Sequence, residues 1–137
     1  MARAADIKFV LCCDEVRKED NGKLFAIGIY GENIILRKVP SQINMAFLLW
    51  ASASEPGDYE ADVNLYLEPQ LDAVAELNLG FTAHATVNRV QLVVPSIPLN
   101  IGGKGALVFR QKINGEEKEI FRMPILESQL MPKKENQ

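Results

Sequence analysis

The chain has 137 residues, 47% hydrophobic and 24% charged, with a formal net charge of −3 at pH 7. That length fits one domain burying roughly 68% of its unfolded surface, so a core forms without disulfide or metal staples. The acidic balance provides no basic stripe for a polyanion, which removes nucleic acid from the expected partners.

Residues 1–5 read as a loose extension. Residues 6–16 read as a first strand, buried on both faces at its centre, where Cys12 and Cys13 project to opposite sides. Adjacent strand residues close no useful loop, so both are expected as reduced, space-filling thiols. The apolar run at 9–13 is far too short for a signal or membrane segment, and the expected setting is cytoplasmic. The polar segment 17–23 supplies a turn through Asn21-Gly22, where positive φ is cheap. A return strand follows at 24–30, then a turn at Gly31-Glu32-Asn33, a short strand at 34–36 and a loop at 38–41. Residues 42–50 form the next strand, with Ile43, Met45, Phe47 and Leu49 on one parity.

Pro56-Gly57 precedes the clearest periodicity in the chain. From Asp58 to Glu68 polar and apolar residues alternate without a break, with Tyr59, Ala61, Val63, Leu65 and Leu67 on one side. That is a half-buried strand, which belongs to an antiparallel sheet with one wet face. A bend at Glu68-Pro69 leads to a weaker strand at 73–79, while residues 80–85 fit a loop or a helical turn equally well. Residues 86–94 alternate again. Pro95 to Pro98 and Gly102 to Gly105 bracket an expected irregular crossing segment. A two-residue loop at Asn114-Gly115 would set Ile113 against Glu116, Lys112 against Glu117 and Arg110 against Glu119. The same register puts Phe109 opposite Ile120 and Val108 opposite Phe121.

No stretch of a dozen residues shows a capped 3.6-residue period, so little or no helix is expected. Seven or eight short strands imply an all-β antiparallel sandwich, immunoglobulin-like or C2-like, with a closed barrel as the alternative. It would occupy residues 1–126 as a single domain, leaving 127–137 as a flexible tail.

Catalytic constellations are scarce. His84 is the single histidine, which excludes a multi-histidine zinc site and leaves a triad without partners. Gly102-Gly103-Lys104-Gly105 lacks the hydroxyl residue and following helix of a phosphate cradle and reads as a turn into 106–113. A mid-strand apolar setting raises the cysteine pKa and argues against a thiol nucleophile. The expectation is a non-enzymatic protein with no catalytic, cofactor or metal site. The carboxylates of Asp58, Glu60 and Asp62, and of Asp14, Glu19 and Asp20, read as solvated strand faces more readily than as a cation site.

Two features point beyond structure. Asp14, Arg17, Glu19 and Lys23 surround the first turn, as a strand-bridging ion-pair lock or a recognition patch. Leu48, Trp50, Val108 and Phe121 stand on the side expected to be wet, with Arg110, Lys112, Glu117 and Glu119 as a polar rim. Either they form an interface, or Ile125, Leu126, Leu130 and Met131 fold back over them. The resulting expectation is a self-associating interaction module, a homo-oligomer or the receiver of another protein, touching neither membrane nor nucleic acid. A carbohydrate- or cation-binding sandwich is the alternative.

The opening Cys13-Asp14-x-Val16-Arg17-x-Glu19-x-x-Gly22-Lys23, continued by Ile27-Gly28-x-Tyr30, resembles an uncharacterised bacterial domain-of-unknown-function family. Gly57-Asp58-Tyr59 and the terminal Asn-Gly hairpin are similar too. The resemblance covers most of residues 6–124 and implies a short, single-domain, mostly β protein with no transferable activity. The Cys12-Cys13 pair and the stretch 73–85 depart from it.

Overall fold

A computed structural model describes residues 2–38, 40–84 and 87–128, and for residues 87 and 88 the backbone alone. The described residues form ten strands: β1 (Arg3–Ala4), β2 (Asp6–Lys18), β3 (Leu24–Ile29), β4 (Ile34–Leu36), β5 (Ser41–Ala53), β6 (Gly57–Glu68), β7 (Ala73–Ala83), β8 (Val87–Ile101), β9 (Gly105–Ile113) and β10 (Glu116–Glu127). The smaller sheet has the order β3-β2-β5-β8. The larger runs β7-β6-β9-β10-β4, with β1 also paired to β6. Since β7 lines one edge of β6, β1 must share the other edge with β9.

One hydrophobic cluster fills the space between the sheets. Val10 and Cys12, with Met45, Phe47 and Leu49 and then Leu92 and Val94, face Tyr59 to Leu67 on alternate positions, Leu107, Phe109, Met123 and Ile125. This is a β-sandwich and not a closed barrel. Phe47 and Phe109 meet edge-to-face across it at 4.9 Å and 85°, a geometry worth about 0.5–1.5 kcal/mol beyond area burial. Cys12 and Cys13 are free and buried on opposite sides of β2, as strand alternation requires.

The structure differs from the sequence reading at several points. Residues 3–4 are a parallel strand and not a loose extension. Ala5 N donates to Glu60 O at 2.7 Å, and the buried Gln111 donates from Nε2 to Ala5 O at 2.7 Å. The strand at 73–79 continues to Ala83. The Pro95–Pro98 region is not a crossing segment but the middle of β8, which stays paired with β5 through a register shift between Met45 and Phe47. Prolines fit there because β8 is an edge strand with a bulge. The chain changes sheets later, at Gly102–Lys104. In the terminal hairpin the register holds from Ile113↔Glu116 to Arg110↔Glu119, then shifts, so Phe109 faces Phe121 and Val108 faces Arg122. Ile120 is the extra, bulged residue. β10 runs on through Glu127 beside β4 in parallel, and Ser128 N donates to Leu36 O. Leu130 and Met131 lie outside the described residues.

Candidate interaction surface

The outer side of the smaller sheet is apolar. Cross-strand pairing places Phe9 beside Trp50 and Leu11 beside Leu48, and Leu48 in turn beside Val93. Phe9 is 55% exposed and its ring lies 5.2 Å from that of Trp50. Of the sequence-derived pair, Leu48 is buried between its neighbours and Trp50 is half-buried. Cys13 carries the face onward, since it pairs with Ala46 on one side and Ile29 on the other. Ile29 (58% exposed), Ile27 and Phe25 follow along β3, opposite Cys13, Glu15 and Arg17. The tip of this hairpin approaches β8, leaving a cleft of about 380 Å³ lined by Val16, Lys18, Gly22, Leu24, Gln91 and Val93.

The turn residues Asp14, Arg17, Glu19 and Lys23 do not assemble into one network. Arg17 ion-pairs with Glu15, which raises the guanidinium pKa. Glu19 and Lys23 meet through the backbone, Glu19 N donating to Lys23 O at 2.7 Å, while Lys23 N donates to Asn21 Oδ1 at 3.0 Å. Asp14 has a separate task. Gly28 adopts φ +70°, and a Cβ built there would stand 2.2 Å from Asp14 Oδ2. The carboxylate thus occupies the space a side chain at 28 would need, and it hydrogen-bonds Tyr30. Burial first, and Asp14 second, push the Tyr30 phenol above its ordinary pKa.

Val108 and Phe121 do not extend the apolar surface. Val108 is fully buried between Tyr66 and Arg122. The bulge at Ile120 turns Phe121 toward the core, where it stacks edge-to-face on Phe109 at 5.4 Å. The outer side of the larger sheet is instead a charge network. Glu68 accepts from Arg110 at 3.0 Å and from Arg122 at 2.7 Å, and Arg122 also reaches Glu119 at 2.8 Å. Arg110 lies over the Tyr66 ring at 4.6 Å, and Tyr66 donates to Glu117 at 2.8 Å. The opposed pairs expected from register therefore exist in the backbone, but Arg110 pairs with Glu68 while Arg122 takes Glu119, and Glu117 accepts from Asn64 and Tyr66. Hydrogen bonds from Arg122 hold Glu68 and Glu119 below the usual glutamate range. Asn64, then Tyr66, do the same for Glu117. A cleft of about 430 Å³ opens beside this network, lined by Tyr66, Glu68, Pro69, Leu71, Arg110 and Arg122 among others.

His84 is exposed at the bend after β7. Burial drives the Cys12 thiol up to about 12 and raises Cys13 as well, so neither offers a thiolate. Among the described residues no three His, Cys, Asp or Glu side chains gather as metal ligands. The residues that sequence reasoning missed are Phe9, Phe25, Ile27, Ile29 and Val93. For Phe9, Phe25 and Ile27 the pattern was ambiguous: residues 9–13 and 24–27 place apolar side chains on both parities, as a strand buried on both faces does too.

The model of a family of unknown function (DUF6941) matches residues 8–126. No curated protein matches the chain.

Proposed function

We propose, for a chain that belongs to the DUF6941 family of unknown function, that it is a non-enzymatic interaction module self-associating through the outer side of its smaller sheet. The observation that carries this is the outward-facing apolar row in which exposed Phe9 and Val93 flank half-buried Leu11 and Trp50 and buried Leu48, and which contains no charge. Contiguous exposed apolar surface on a small protein marks an interface, and tryptophan and other aromatics favour its centre. The Asp6–Lys8 and Glu15–Arg17 ion pairs lie on β2 before and after Phe9–Cys13 and supply a polar rim. The reading assigns a bacterial cytoplasm as the setting and protein, not membrane or nucleic acid, as the partner; no described helix is long and apolar enough to cross a membrane.

Light scattering on a sizing column across a concentration series tests this. Wild-type protein is expected as an oligomer. Phe9→Lys and Ile29→Lys, both at exposed positions, should lower its mass while keeping the fold by circular dichroism. A wild-type monomer at every concentration, or unchanged mass in both variants, refutes the reading.

A ligand-binding role is the second reading, supported by the 430 Å³ cleft beside Arg110 and Arg122. A thermal-shift series with monosaccharides and calcium is its test, and a flat response removes it.

A further inference from the structure

β7 runs along the edge of the larger sheet, hydrogen-bonded to β6 on one side, with no described strand on the other. Its register with β6 is unbroken from Ala75↔Leu65 to Ala83↔Gly57. Over residues 75–83 it carries one charge, Glu76, and no proline or lysine. Other edges are blunted. β3 contains Gly28 in a left-handed conformation, and β4 has three residues. β8 has Pro95, Pro98 and a register shift, while β10 carries a bulge and Pro124. A long, regular, unguarded edge is a template for another strand.

The residues of β7 say which strand fits. Ala75, Leu77, Leu79 and Phe81 form a half-buried row against the core, and Glu76, Asn78, Gly80 and Thr82 form the exposed row. We infer that β7 pairs antiparallel with β7 of a second copy about a two-fold axis at Asn78, joining two larger sheets into one. Opposed residues share a face, so half-buried rows meet each other and both sandwiches lie on one side of the joined sheet. This axis sets small Ala75 against large Phe81 twice and Leu77 against Leu79 twice. Each Glu76 faces a Gly80, so no like charges are opposed. The contact shares no residue with the apolar outer side of the smaller sheet, and it stands or falls apart from the function proposed above.

The test uses full-length protein carrying Phe9→Lys, which removes the other contact. With Asn78→Cys added, mild oxidation should produce a disulfide-linked dimer, because the two residues lie opposite on the axis. The native thiols are buried and do not compete. Glu76→Cys should not cross-link, since its partner position is Gly80. In the same Phe9→Lys background, Gly80→Glu should weaken dimerisation roughly tenfold by facing Glu76, and Gly80→Lys should strengthen it. A Cβ at 80 meets only Tyr59 O at 3.6 Å, an ordinary contact. Because Glu60 of β6 is the cross-strand partner of residue 80, urea unfolding of both variants separates any change in fold from the change in dimerisation. Absence of the residue-78 cross-link, equal cross-linking at 76, or equal effects of glutamate and lysine at 80 overturns the inference. A failed Phe9→Lys result with positive cross-linking would refute the apolar-face reading alone.

Discussion

Replacing Gly28 with alanine should destabilise the protein for two separable reasons. The backbone there is left-handed, at φ +70°, which costs an L-residue about 1–2 kcal/mol. The new methyl would also stand 2.2 Å from Asp14 Oδ2 and 2.7 Å from its Cγ. The carboxylate must then leave Tyr30 and give up the side-chain interaction that helps raise the phenol pKa, worth about 1 kcal/mol at this half-buried position. Gly28→Ala should thus cost about 2–3 kcal/mol in urea unfolding, and Asp14→Ala alone about 1 kcal/mol. In the double variant the obstacle is gone, so alanine at 28 should cost only the backbone share, a coupling of about 1 kcal/mol. The Tyr30 phenol, followed by ultraviolet titration, should move toward its ordinary pKa whenever Asp14 is absent. If Gly28→Ala costs the same with and without Asp14, the carboxylate is not what excludes a side chain at 28, and the account fails.

Gln111→Leu should cost about 1–3 kcal/mol in the same assay by leaving the Ala5 carbonyl unpaired in the interior; an unchanged midpoint would show that β1 does not depend on it. Arg122→Met should raise the pKa values of Glu68 and Glu119 in carbon-detected NMR titrations. Because both are depressed in the folded state, their contribution to stability is present above the ordinary glutamate pKa. It is lost as pH falls through the lowered values, so the variant should show a flatter acid limb. Unmoved carboxylates would assign the depression to another source. Ellman's reagent at mildly alkaline pH should find no fast thiol in native protein and both thiols after denaturation, since burial lifts Cys12 to about 12; a rapid native reaction would contradict the burial.

The strands that face one core with one parity were legible in advance. Tyr59 to Leu67 alternate because one face of that strand is dry, and the period survives into the structure. Met45, Phe47 and Leu49 share the core parity as expected, with Ala46 and Leu48 between them buried too. The Asn114-Gly115 turn fixed its hairpin for four pairs, up to the point where Ile120 bulges out. Nothing in the residues around 120 announces that bulge, because its cause is tertiary: Phe121 gains a contact with Phe109. The same limit applies to β8. Pro95 and Pro98 break most strands, and they are tolerated because no described strand lies on that edge, which is a property of the whole sheet. For the surface, Trp50 and Leu48 were identifiable as apolar residues on the less favoured parity. Phe9 and the β3 isoleucines looked like ordinary core, since a strand buried on both sides and one with an exposed apolar side have the same composition. The charge network was misassigned for a simpler reason: long arginines reach diagonal partners that backbone register does not specify.

The smaller sheet is complete earlier along the chain than the larger. All four strands of the smaller sheet lie within residues 6–101, whereas β9 and β10, at the middle of the larger one, come from 105–127. A chain emerging from the ribosome from its N-terminus therefore holds every strand of the first sheet while the β6–β7 hairpin still lacks its neighbour β9. The parallel partnership of residues 3–5 with β6 is equally late to close, because Gln111, which clasps Ala5, is made after every strand of the smaller sheet. Until then the inner surface of the smaller sheet, with Phe47, Met45 and Leu49, has no complete cover, and the nascent protein is most open to aggregation and to chaperone capture in the interval before β9 and β10 are made.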